Sequence, residues 1–127
     1  MRLTILAASL LASQAAAQDW TVRPDDAMLE PQMLADRLSG QVLVFYDDGE
    51  SVYNADGTYS YTYGGGGTWY GYWHVEGDSL VCVTFVTDVT RCDLIVENNS
   101  RLVLLTADGQ RFPIRAVEPV APDETDL

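Results

Sequence analysis

From Gly40 to Val117 the chain is broken at short, regular intervals by turn-forming residues, and this spacing restricts the fold more than any other feature. Asp47-Asp48-Gly49, Asp56-Gly57, Gly64 to Gly67, Glu76-Gly77-Asp78, Asp88, Asn98-Asn99-Ser100 and Asp108-Gly109 recur roughly every eight to twelve residues. The stretches between them are rich in Val, Tyr, Thr, Leu and Phe, which suit a pleated, half-buried surface. The spacing predicts a mainly β fold of about eight antiparallel strands in meander order, closed as a small barrel or stacked as a sandwich.

One helix precedes the strands. Ala27, Met28, Leu29, Met33, Leu34 and Leu38 are apolar, Pro31 suits a first turn and Gly40 a stop, so the helix is expected near residues 30–38. Ahead of it, Met1-Arg2, the apolar run Leu3 to Ala12 and the ending Ala15-Ala16-Ala17 read as a signal peptide over 1–17, cut after Ala17. The apolar run is too short to span a bilayer. Residues 18–117 then form a single β domain, and the acidic, proline-bearing 118–127 form a disordered tail. The expected location is periplasmic or secreted.

Nineteen acidic residues face seven basic ones, every one of them Arg, for a net charge of −12. Nucleic acid and anionic membranes require clustered positive charge, so neither is expected as a partner. Cys82 and Cys92 are the two cysteines, and in an exported chain they are expected to form a structural disulfide.

The segment Tyr59 to Trp73 (YSYTYGGGGTWYGYW) is a hairpin pattern hinged on four glycines. A symmetric turn on these glycines pairs Tyr61 with Tyr70 and Tyr59 with Tyr72, and it gathers the tyrosines on one face with both tryptophans on the other; an odd-length loop would mix the two sets. The next turn sets Trp73 opposite Val81. A disulfide between Cys82 and Cys92 requires the following hairpin to centre on Thr87, which pairs Leu80 with Leu94. Turning at Asn99 pairs Ile95 with Val103, and turning at Asp108-Gly109 pairs Val103 with Ile114.

This threading makes an interior of Trp69, Trp73, Val75, Val81, Val83, Phe85, Ile95, Val103, Leu105, Phe112 and Ile114, with Asp93 as a misfit. A second apolar patch, Leu80, Leu94, Val96, Leu102 and Leu104, falls on the outer face beside the disulfide. The helix carrying Met33, Leu34 and Leu38 is expected to cover it, giving a monomer; a dimer interface is the alternative.

The best candidate for binding is the tyrosine row, Tyr59, Tyr61, Tyr63, Tyr70 and Tyr72 with His74 beside it, suited to stacking on a ring or a partner's side chain. His74 is the only histidine and has no second metal-ligating partner or nucleophile near it in sequence, so neither a metal centre nor a catalytic triad is expected. Acidic turns (Asp47, Asp48 and Glu50; Asn54 and Asp56; Glu76 and Asp78) lack the spacing of a calcium loop, and hairpin chemistry explains them without a metal. No catalytic residue, cofactor or metal is expected.

The run D-G-T-Y (56–59), G-G-T-W (66–69), W-H-V-E-G-D-S-L-V-C (73–82) and R-C-D-L (91–94) resembles small secreted proteobacterial β-proteins grouped as a domain of unknown function, over roughly Leu34 to Val117. That family implies a β fold and no catalytic residues. The chain is similar, more faintly, to periplasmic metalloprotease-inhibitor barrels, which implies inhibition of a secreted protease through Gln18 to Asp26 or an exposed turn. The reading that follows is an exported, non-catalytic binding module for a protein or small ligand, with protease inhibition as the alternative.

Overall fold

Every turn signal in the sequence is a turn in the structure, a computed structural model that describes residues 20–121. The expected signal segment 1–17 and residues 122–127 of the expected tail lie outside the described residues. In chain order the elements are β1 (Ala27–Met28), α1 (Pro31–Leu38), β2 (Gln41–Phe45), β3 (Glu50–Tyr53) and β4 (Thr58–Thr62). There follow β5 (Thr68–Gly77), β6 (Leu80–Phe85), β7 (Thr90–Asn98), β8 (Arg101–Leu105) and β9 (Arg111–Pro119). Glu118 and Pro119, expected in the tail, are the end of β9, where Pro119 pairs with Gln41.

Strands β2 to β9 form an antiparallel meander in which β9 returns to pair with β2, so the sheet closes as an eight-stranded barrel. Closure depends on strand length. β9 is nine residues long; Arg111 to Pro113 bond to β8, and Ile114 onward bond to β2. Closing the sheet removes the edges that would otherwise template association. Strand β1 occupies the place that β6 vacates beyond Leu94, pairing Met28 with Val96. Ser79, fully buried at φ 55°, stitches this junction: its hydroxyl accepts from Leu29 N–H at 2.7 Å and its carbonyl from Ile95 N–H at 2.8 Å.

Three hairpin registers differ from the sequence reading by one residue. The glycine turn is a five-residue loop, 63–67, so Thr62 pairs with Thr68, Tyr61 with Trp69 and Ser60 with Tyr70. Gly66 and Gly67 take positive φ, while Gly64 is required by crowding: a Cβ there would stand 2.2 Å from the Asp47 carbonyl oxygen in the neighbouring turn. The Asn99-Ser100 turn has two residues, at φ 52° and 64°, the left-handed pair of a type I′ hairpin. That register pairs Val96 with Val103, and the β8–β9 pairing shifts as well, with Leu104 opposite Phe112. The β5–β6 pairing differs by two residues, Trp73 facing Val83, which keeps every side chain on its expected face. The Cys82–Cys92 and Leu80–Leu94 pairs stand as expected, and the disulfide is formed. A disulfide is the mark of a fold that matures outside a reducing cytosol.

A one-residue slip exchanges the two faces of a strand. Leu102 and Leu104 therefore lie inside the barrel with Leu43, Phe45, Val81, Val83, Ile95 and Ile114, and Val103 and Leu105 join Leu94, Val96 and Leu80 on the outer patch. The covers differ accordingly. Helix α1 does not lie over the outer patch; Leu34 and Leu38, both fully buried, plug one end of the barrel, and Met33 is exposed. The outer patch is covered by Trp20, and Arg111 holds that N-terminal segment through the Thr21 carbonyl (2.8 Å) and the Asp26 carboxylate (2.7 and 2.9 Å). Among the described residues, no helix is long and apolar enough to cross a membrane.

Candidate functional site

The plug leaves the opposite end of the barrel open, where the 46–49, 63–67, 86–89 and 106–110 turns surround a cavity of about 860 Å³. This volume lies within the range of small-molecule sites. Eight strands enclose a bore that side chains either fill or leave wide enough for one small ligand, and the contents of the two halves decide which. Near the plug, Leu34, Leu38, Leu43 and Ile95 occupy it and are fully buried. Toward the mouth, Gly71 replaces a side chain on the inner face of β5, between Tyr59 and Phe85 in register.

Aromatic rings line the mouth. Tyr61 and Tyr63 meet edge to face, 5.0 Å between centroids at 88°, and Trp69 meets Phe85 at 6.2 Å and 70°. Deeper, Tyr59 touches Phe85 at 6.0 Å and Tyr53 at 5.1 Å. The five-residue loop produces this arrangement, because it puts Tyr59 and Tyr61 on the same face as Trp69 and Trp73.

The wall also carries polar groups. Tyr59 Oη and Ser51 Oγ share a hydrogen bond of 2.9 Å. Arg91 donates from Nε and Nη2 to the two oxygens of Asp93, at 3.0 and 2.9 Å. Both residues face inward because they are two apart on β7, and Arg91 supplies the partner that Asp93 lacked in the sequence reading. The pair holds the Arg91 guanidinium above its ordinary pKa, first through the Asp93 hydrogen bonds. Burial pushes the Tyr59 phenol up to about 12, raises Tyr53 as well, and with Asp47 nearby raises Tyr61. The cavity lining contains neither a histidine nor a free thiol.

The six residues of the expected binding row divide between two surfaces. Tyr59, Tyr61 and Tyr63 line the cavity; Tyr70, Tyr72 and His74 lie on the outer face of β5 and are exposed. His74 bonds to Glu76 at 2.9 Å, across from Cys82. Donor atoms of His74, Glu76 and Cys82 lie within 4.8 Å of one another, but the Cys82 sulfur is bonded to Cys92, which leaves this cluster two ligands, fewer than a structural zinc site uses. Sequence reasoning put Asp93 on the interior face but missed Arg91 and Ser51 as cavity residues. The alternation Arg91-Cys92-Asp93 was the available signal, since a disulfide cysteine on one face puts both charges on the other.

A shallower groove outside β8 and β9 is bordered by Arg23, Arg101 and Arg111, of which Arg111 is committed to Asp26 and Arg101 bonds to the Tyr46 hydroxyl. In comparison with known proteins, no family model, curated protein or solved structure matches the chain.

Proposed function

We propose that the protein is a non-catalytic, exported binding module that takes a small, ring-bearing, largely apolar ligand into the open end of its barrel. The observation that carries this reading is the aromatic-lined cavity of about 860 Å³ in a barrel whose other end is sealed by Leu34 and Leu38. Rings contribute contact area at little conformational cost, and the Tyr59, Ser51 and Arg91 donors supply orientation. A periplasmic or secreted location follows the signal-peptide reading and agrees with the disulfide. Relative to the sequence reading, binding moves from a tyrosine row on the outer sheet face to the inner half of that row.

Inhibition of a secreted protease is the alternative reading; in the N-terminal segment Trp20 packs on the barrel and Asp26 is ion-paired to Arg111, while residues 21–25 between them are exposed. The test is a titration with diphenylhexatriene, a neutral rod of two phenyl rings that fluoresces in apolar sites. Tyr61→Ser and Trp69→Ala are expected to weaken binding about tenfold or more, with Tyr70→Ser and Tyr72→Ser near wild type. Absence of binding, or sensitivity confined to the two outer variants, refutes the reading.

A further inference from the structure

We infer that the barrel mouth selects an organic cation, an ammonium or protonated amine carried on an apolar body; this rests on the binding function proposed above. The first ground is ring geometry. Tyr61 and Tyr63 stand perpendicular at 88° and Trp69 and Phe85 at 70°, so the mouth offers two aromatic corners. Aromatic faces carry negative quadrupole charge and attract a cation set against them, most strongly where water is excluded. Tyr63 and Trp69 are 52% and 45% exposed, so these rings are accessible to a ligand at the mouth.

The second ground is the charge of the lining. Its ionised groups are Asp47, Asp93 and Asp108 against Arg91. Both oxygens of Asp93 are occupied by Arg91, so that pair is neutral as a unit. Asp47 and Asp108 remain at the rim with local neutral donors, the Gly49 N–H and the Thr106 hydroxyl, and neither forms an ion pair among the described residues. Asp47 stands beside the Tyr61 hydroxyl: a Cβ on Gly49 would lie 2.5 Å from that oxygen and 2.9 Å from Asp47 Oδ1. One wall of the mouth therefore joins an aromatic corner to an uncompensated carboxylate. A carboxylate ligand, such as a fatty acid, would meet two like charges there, and its cationic contact, Arg91, already has its charge balanced by Asp93.

The experiment uses one fluorophore in three charge states: diphenylhexatriene, its trimethylammonium derivative and its carboxylic acid, titrated into the disulfide-intact protein at low and physiological salt. The expected order is cation, neutral, carboxylate, with the cation about fivefold or more tighter than the neutral probe. Asp47→Asn with Asp108→Asn should shrink the cation preference by about two- to fivefold, weakening cation binding more than neutral binding. Asp36→Asn with Asp78→Asn, remote from the mouth, makes the same change in net charge and should leave the preference intact. Tyr63→Leu should reduce cation binding more than neutral binding.

Equal affinities for all three probes, a carboxylate preference, or equal effects of the rim and remote pairs would overturn the selectivity while the binding function stands. Failure of all three probes to bind overturns both.

Discussion

Replacing Asp26 with Asn tests the tie between the N-terminal segment and the barrel. Asp26 Oδ2 accepts from Arg111 Nη1 and from the Arg23 N–H, each at 2.7 Å; Oδ1 accepts from Arg111 Nη2 at 2.9 Å and Asn98 Nδ2 at 2.8 Å. Asparagine keeps one acceptor and turns the other into a donor, so two of the four bonds fail and one of them is to Arg111. A hydrogen bond to a charged group contributes about 1.5–3 kcal/mol, and stripping one partner from a buried ion pair costs about 3–5 kcal/mol. The Asp26 side chain has no exposed surface, yet it lies beneath a thin cover at the barrel wall and not in the deep core. The lower part of those ranges applies, so Asp26→Asn should destabilise by about 2–3 kcal/mol at pH 7, lowering Tm by about 10–20 °C for a domain of this size.

The pH dependence is diagnostic. The Arg111 hydrogen bonds hold the Asp26 carboxyl well below the usual carboxylate range, against a smaller opposing effect of burial. An unfolded aspartate titrates near about pH 3.9, so across and below that pH the unfolded chain binds more protons than the folded one. The stabilisation is complete above about pH 5 and is lost progressively as pH falls through the unfolded and then the folded pKa. Urea unfolding of both proteins between pH 7 and pH 2.5 should show the gap narrowing toward acid. Asp56, whose carboxyl is also lowered, by Thr58, is common to both proteins and cancels. A gap that stays constant with pH, or one below about 0.5 kcal/mol at pH 7, would refute the role assigned to this carboxylate.

Three further outcomes are expected. Leu34→Ala empties a fully buried plug position and should cost about 2–5 kcal/mol in urea unfolding; a loss below about 1 kcal/mol would show that α1 does not seal the barrel. Replacing Cys82 and Cys92 together by Ala should cost about 2–3 kcal/mol, and the wild-type protein should show no thiol titre when unfolded without reductant. Tyr59→Phe leaves the buried Ser51 hydroxyl without its phenol partner and should cost about 1–2 kcal/mol, read from the shift in urea midpoint at constant slope.

The legible and illegible parts of the chain divide at turn geometry. Asp-Gly and Asn-Ser steps mark where a chain reverses because few residues take positive φ, and Asp48, Gly57, Asp88, Asn99, Ser100 and Gly109 all do so. The same residues do not state how many positions the turn consumes. Four glycines allowed a four-residue loop as readily as the observed five, and that one position separates Tyr59 and Tyr61 from Tyr70 and Tyr72. Where a covalent link constrained the hairpin, at Cys82 and Cys92, the register was readable to the residue. Pro31 and Gly40 likewise marked the ends of α1, but nothing in its apolar residues could say which surface they would meet.

By itself the sequence determines an acidic, disulfide-bearing meander of β-strands behind one short helix, because composition, turn chemistry and alternation are local properties. Closure of β9 onto β2, the plug of Leu34 and Leu38, the Trp20 cover and the aromatic mouth are tertiary decisions. They depend on strand stagger and on the parity of each turn, which emerge only when all the hairpins must share one barrel. A single residue of register decided whether the tyrosines faced outward as a row or inward as a site.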